Sequence, residues 1–195
     1  MIGGLVLAAG EGRRFGGPKL AAELDGVALL DHAVAAMLGV PAIERVVVVL
    51  GAHAEEISAR ADLGAVEALV CEAWSDGISA SLGAGVEELG GAEAIVVTLG
   101  DQPFVTAQVI AAIVDQLDGR LPAARATYDG RPGHPVLIKR ALFEQVRSLR
   151  GDEGARDLLA AAGVQELECG HLCRPEDIDT PEDLEAARRQ FVAMG

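Results

Sequence analysis

Two hydrophobic regimes alternate along the chain. Unbroken apolar runs at Leu5 to Ala9, Val46 to Leu50 and Ala94 to Leu99 read as strands covered on both faces. Between them, Leu29, Leu30, Ala33, Val34 and Met37 fall at helical spacing and predict a first crossover helix over Leu29 to Leu38. A short helix from Glu55 to Ala61, a weak strand at Leu69-Val70 and a helix from about Ile78 to Leu89 follow, and Thr106 is placed to cap a helix reaching about Leu117. The second half is less regular. Strands at Ala124 to Tyr128 and Pro135 to Ile138 flank an Asp129-Gly130 turn, and Lys139 to Leu149 reads as a helix. Gly151 to Gly154 introduces another helix over Ala155 to Ala162, and Val164 to Cys169 reads as a strand. Thr180 as N-cap, Pro181 at the first helical position and Asp183 at the third start a last helix that runs to Met194. This β-α-β-α order predicts a three-layer α/β fold with a mostly parallel sheet. No linker, repeat or low-complexity tract interrupts it, so residues 1–195 are expected to form one domain.

Composition narrows the partners. Half of the chain is apolar but only 3% aromatic, which leaves an Ala/Val/Leu/Ile core. A net charge of −14 opposes binding to nucleic acid or to an anionic membrane surface. No apolar run approaches the roughly 18 residues of a membrane-spanning helix, and the N-terminus lacks a signal-peptide pattern, so a soluble, cytoplasmic protein is expected. Cys71, Cys169 and Cys173 are an odd, sparse set, better suited to reduced thiols than to a disulfide framework. Cys169, His171 and Cys173 alternate and would share a face on a strand, but their spacing is not that of a usual zinc motif.

Against this acidic background, Arg13, Arg14 and Lys19 cluster in a glycine-rich stretch directly after the first strand. Glycines let backbone N–H groups approach an anion closely, and the cations add charge, so the loop suits phosphate. It is not a Walker A loop, because Leu20 rather than Ser or Thr follows Lys19. Nor is it a dinucleotide fingerprint. Gly10, Gly12 and Gly16 are spaced one residue too long, and the strand at Val46 to Leu50 ends in Gly51-Ala52 without the acid that would hold a ribose. In a parallel α/β sheet, ligands bind at the carboxyl ends of the strands. Asp101 lies there after a central strand, and a carboxylate beside triphosphate calls for an intervening cation such as Mg²⁺. Asp177 and Asp179 form a second acidic position, open to either a capping or a ligand role.

The loop resembles the L-A-A-G-x-G-x-R-x-G-x-x-K signature of the MobA-like nucleotidyltransferases, most closely the molybdenum cofactor cytidylyltransferases. Four further segments resemble the family in the same order: Trp74 to Leu82 (W-x-x-G-x-x-x-S-L), Gly100 to Pro103 (G-D-Q-P), Gly133 to Val136 (G-H-P-V) and Gly151 to Arg156 (G-D-x-G-A-R). The resemblance implies a Rossmann-like, GT-A-like fold and transfer of CMP from CTP to molybdopterin, with release of pyrophosphate and a molybdoenzyme as possible recipient of the product. It implies nucleotide contacts from Leu7, Ala8, Ala9, Gly10, Gly12, Arg13, Arg14, Lys19, Ser81 and Asp101, with Arg14, Lys19 and Asp101 catalytic. Acceptor contacts would come from Trp74, Gly77, Gln102 and His134. Mg²⁺ would lie on Asp101 and on Asp179, the Asp before T-P-E-D, with Asp177 in reserve. Ala9, where the guanylyl branch favours Gly, points to the cytidylyl branch. The alternatives are a GTP-using or other-acceptor enzyme of the same fold, an NAD(P)H-dependent oxidoreductase, and a non-catalytic carrier of the cofactor.

Overall fold

The computed structural model describes residues 1–152 and 155–194, so Glu153 and Gly154 of the fifth matching segment lie outside the described residues. In chain order the elements are β1 (Ile2–Ala8), β2 (Glu23–Leu24), β3 (Val27–Ala28), α1 (Leu29–Leu38), β4 (Ile43–Leu50), α2 (Ala54–Ser58), β5 (Glu67–Val70) and α3 (Ile78–Glu88). They continue with β6 (Ala94–Leu99), α4 (Ala107–Val114), β7 (Ala123–Tyr128), β8 (Arg131–Lys139), α5 (Phe143–Ser148), α6 (Arg156–Ala162), β9 (Gln165–Glu168) and α7 (Pro181–Met194).

The central sheet has seven strands in the order β5-β4-β1-β6-β8-β7-β9. β1 pairs in parallel with β4 on one side and with β6 on the other, so the chain leaves β1 one way and later returns to its opposite flank. That reversal opens a crevice at the carboxyl ends of β1 and β6, where the glycine loop and Asp101 emerge. The apolar runs lie there because both faces are covered. Val6, Val48 and Val96 pack under α1 and α4, whereas Leu5, Val47 and Ile95 pack under α3 and α5. Each such fully buried aliphatic side chain contributes about 1.5–3 kcal/mol. A third, smaller cluster of Leu24, Leu29, Ile178 and Leu184, with Phe104 and Phe191 against it, seats α7 beside the crevice.

Several predicted bounds shift, each for a local reason. Lys139 still pairs with Ala94 in the sheet, so the element read as one helix from Lys139 is a strand end, a 3₁₀ turn at Arg140–Leu142 and then α5. β8 starts at Arg131, earlier than the apolar run, and runs antiparallel between β6 and β7. Asp129 and Gly130 both take positive φ (51° and 72°), the two-residue hairpin geometry that their types favour. Pro132 and Pro135 cannot donate to the ladder, and the β7–β8 register shifts between Arg125 and Thr127. The β2–β3 ribbon was not anticipated, since two residues a side carry no periodicity. β9 ends at Glu168. Cys169 therefore begins a turn, with the Leu172 and Cys173 N–H groups on its carbonyl, and the alternation of Cys169, His171 and Cys173 does not lie on a strand. All three cysteines are free thiols. Among the described residues no helix is long and apolar enough to cross a membrane.

Candidate active site

The first turn is shaped by its glycines. Gly12 has φ +66°, and a Cβ there would come within 2.5 Å of the Gly17 carbonyl oxygen. The turn closes on that carbonyl pair: Phe15 and Gly16 N–H donate to Gly12 O (2.9 and 3.0 Å), and Lys19 N–H donates to Gly17 O (2.8 Å). Among the described residues, no protein acceptor is found for the N–H groups of Gly10, Glu11 and Gly12, which leaves three donors at the mouth of the crevice. The turn delivers Lys19 inward, where it is only 9% exposed.

Lys19 is the hub. Its Nζ donates to Asp101 Oδ2 at 2.6 Å and to Asp179 Oδ1 at 2.9 Å. Those two oxygens therefore lie within 5.5 Å of each other, the sum of the two bonds. Arg14 donates to the other Asp179 oxygen at 2.5 Å. Burial alone would push the Lys19 ammonium down, but the charges and hydrogen bonds of Asp101 and Asp179 outweigh it and its pKa is raised. Asp101 Oδ1 is buried with no partner, and a carboxylate oxygen left bare costs free energy that a cation would recover. Asp179 is held from behind by a reciprocal cap. The Asp179 and Thr180 N–H groups donate to Asp183 Oδ2 (3.1 and 2.8 Å), and Asp183 N–H donates to Thr180 Oγ1 (3.1 Å).

Three cavities meet here. One of about 220 Å³ is lined by Gly10, Gly12, Arg14, Lys19, Asp101 and Asp179, with Leu7, Ala8 and Arg13 also on its wall. A larger one of about 500 Å³ shares Leu7, Gly10, Arg13 and Asp101 with it and extends past Ala9 to Trp74, Gly77 and Ser81. Gly77, with φ +107°, lets its backbone pass against Gly151, where a Cβ would be 2.3 Å from the Gly151 carbonyl carbon. The third cavity, about 230 Å³, shares Leu7 and Ile78 with the second and is mostly aliphatic, through Leu82, Val97, Val136 and Leu159. His134, Arg125 and Arg156 are its polar wall. Burial holds His134 neutral with a pKa of about 4, opposed by the charge of Asp101. Tyr128 Oη donates to the His134 carbonyl at 2.7 Å and braces this strand.

Most of the sequence-derived positions thus converge on one crevice, with two differences. Arg13 is on the cavity wall but exposed, and its Nε is paired to Glu11 Oε2 at 2.7 Å. Gln102, expected at the acceptor, is buried and is not on the wall of these cavities; its Nε2 donates to Asp177 Oδ1 (2.7 Å) and Pro175 O (3.2 Å). Asp177, the reserve ligand, faces Gln102 through that oxygen and makes no bond to Lys19. Glu11 and Leu99 line the larger cavity without any sequence signal that marks them, and Asp152, the acid of the G-D-x-G-A-R segment, lines it too. Arg156, the last residue of the G-D-x-G-A-R segment, lies on the wall of the aliphatic cavity. Among the described residues no cluster of three or more His, Cys, Asp or Glu side chains is placed to hold a metal, and Cys169, His171 and Cys173 do not form one.

A family model described as the MobA-like NTP transferase domain matches residues 4–167, a span that takes in the loop, Lys19, Asp101 and the apolar cavity. The chain belongs to this family. It is a MobA-like nucleotidyltransferase, and the family explains why a basic glycine loop and an acid after β6 share one crevice. The chain is similar to the nicotine blue oxidoreductase of Paenarthrobacter nicotinovorans, 35% identical over 193 residues that cover 94% of each. It is also similar to the solved structure of a Mycobacterium tuberculosis Rv0371c homologue from Mycobacterium sp. strain JC1, with TM-score 0.88, 31% identity and coverage of 100% of this chain and 98% of that one. A structure of Rv0371c from Mycobacterium tuberculosis in complex with manganese has TM-score 0.82 and 26% identity, covering 96% and 98%.

Proposed function

We propose that this MobA-like enzyme is a cytidylyltransferase that needs a divalent metal, normally Mg²⁺, and transfers CMP from CTP to the terminal phosphate of molybdopterin. The observation that carries this reading is Lys19 held between Asp101 and Asp179, with Arg14 on the outer oxygen of Asp179, at the mouth of an unpartnered glycine turn. The donors suit a hard cation. The acids present carboxylate oxygens within 5.5 Å, one Asp101 oxygen has no protein partner, and two protein carboxylates are what Mg²⁺ uses when substrate phosphates complete its shell. A manganese complex of the Rv0371c relative is consistent with this. Bound between the acids, the metal would neutralise charge on the reacting phosphate.

The chain's own groups do the rest. The N–H groups of Gly10 to Gly12 bind phosphate oxygens, and Lys19 and Arg14, exchanged from the acids, hold the β- and γ-phosphates. An oxygen of the acceptor phosphate attacks the α-phosphorus in line. The bond from that phosphorus to the bridging oxygen breaks, and the electron pair leaves with pyrophosphate, whose charge Lys19 and Arg14 stabilise. Ala9 and Ser81 line the side for ribose and base, Trp74 and Gly77 the side of the acceptor, and the aliphatic cavity beyond Ile78 takes the body of the acceptor with His134 neutral beside it.

A second reading is favoured by one observation, the name of the 35% identical relative, an oxidoreductase. It makes the same crevice a site for a reduced nicotinamide cofactor. The glycine spacing and the missing acid after β4 weigh against it. Incubation with Mg²⁺, molybdopterin and each nucleotide in turn, with pyrophosphate measured, separates them. Release with CTP alone supports the proposal, and release with GTP moves it to the guanylyl class. NAD(P)H oxidation without any pyrophosphate would replace it.

A further inference from the structure

The two acids come from turns far apart in sequence, and three hydrogen bonds join those turns. Gln102 Nε2 donates to Asp177 Oδ1 at 2.7 Å and to the Pro175 carbonyl at 3.2 Å, and the Ile178 N–H donates to the Asp101 carbonyl at 3.0 Å. The stretch from Cys173 to Asp179 has no helix or strand of its own to hold it. The Asp183 cap ties the Asp179 N–H to the start of α7, but the Asp179 carboxylate is drawn towards Asp101 by Lys19 and Arg14. A bound triphosphate would draw those same cations away, so the acid then needs an anchor that phosphate does not compete for. Gln102 is only 5% exposed, and its amide supplies that anchor. Its Oε1 is buried without a protein partner, so only the donor end of the amide is bonded.

We propose that Gln102 is a positioning residue, which through Asp177 and Pro175 fixes Asp179 at the distance from Asp101 that a divalent cation requires once Lys19 and Arg14 are on phosphate. The inference rests on the reading of Asp101 and Asp179 as metal ligands given above. It assigns Asp177 the part of a hydrogen-bond acceptor and not of a ligand. It also makes the amide irreplaceable by its isostere, since Gln102→Glu sets a carboxylate against the Asp177 carboxylate.

Mn²⁺ binding in the presence of CTP, titrated by electron paramagnetic resonance below the melting temperature of every variant, tests it. Gln102→Glu should weaken Mn²⁺ about tenfold, the scale on which supports of metal ligands act. Asp177→Asn keeps an acceptor oxygen and should hold the native affinity, whereas Asp177→Ala should lose as much as Gln102→Glu. If Gln102→Glu does not fold, the Asp177 pair decides. Native Mn²⁺ affinity in folded Gln102→Glu, or a rise confined to KM for the acceptor, would overturn the inference, as would equal losses in Asp177→Asn and Asp177→Ala. If the native protein binds no Mn²⁺ with CTP, the reading of the acids as ligands fails with it.

Discussion

Lys19 Nζ stands 2.6 Å from Asp101 Oδ2, an ion pair formed across 82 positions of sequence and almost closed to solvent on the lysine side. Its partner Asp179 makes the ammonium a bridge between two acids that would otherwise repel each other. Lys19→Gln should therefore do two separable things. Pyrophosphate release should fall about 10²–10³-fold, as when one charge-stabilising donor is removed. The metal-free protein should also lose about 1–3 kcal/mol, less than a fully buried pair because the acids are partly exposed, and saturating Mn²⁺ should restore most of it. Thermal melts with and without Mn²⁺ check the second effect independently of turnover.

The neutral His134 gives an acid-side signature. With a folded pKa of about 4 against an ordinary 6.5, the unfolded chain binds a proton between those values that the folded chain does not. Stability is therefore unaffected above pH 6.5 and falls as pH drops from 6.5 to 4, by about 3 kcal/mol for a shift of this size. Urea unfolding without added metal should show this loss in the native protein. In His134→Gln the slope over the same range should be shallower by about one proton's worth.

Gly12→Ala places a methyl 2.5 Å from the Gly17 carbonyl in a backbone of positive φ. The turn must shift and carry Lys19 with it, while the β1 core is untouched. We expect a cooperative unfolding transition lowered by about 1–2 kcal/mol and a Kd for CTP raised tenfold or more, measured by calorimetry.

Ala9 tests nucleotide choice. It lines the larger cavity, packed against the position of Gly51, whose added Cβ would be 2.8 Å from Ala9 Cβ and 2.6 Å from Trp74 Cβ. Ala9→Gly opens one methyl of space. The ratio of kcat/KM for GTP over CTP should rise by about tenfold, the usual scale for a single carbon in a pocket. An unchanged ratio would place base selection elsewhere.

How much of this could be read in advance follows from how local each signal is. β1, β4 and β6 were legible as apolar runs because they are covered on both faces, and α1 because its five buried positions keep a strict period. Thr180, Pro181 and Asp183 announced α7 by local capping chemistry. The pairing of β8 with β6 was not legible, since antiparallel pairing with a distant strand leaves no mark in a single run. Lys19 and Asp101 were each picked out, yet their direct bond was not, because cation and acid were both assigned to absent ligands. Gln102 was read as an acceptor contact for a related reason. A polar residue beside a catalytic turn looks like a contact to substrate until its partners, Pro175 and Asp177, are known.

The most direct measurement is a crystal structure with Mn²⁺ and a non-hydrolysable CTP analogue. Anomalous scattering should place the manganese between Asp101 and Asp179, with Lys19 Nζ moved from both carboxylates onto the triphosphate. Manganese elsewhere, or a nucleotide bound while Lys19 stays on the two acids, would contradict the proposed catalytic centre.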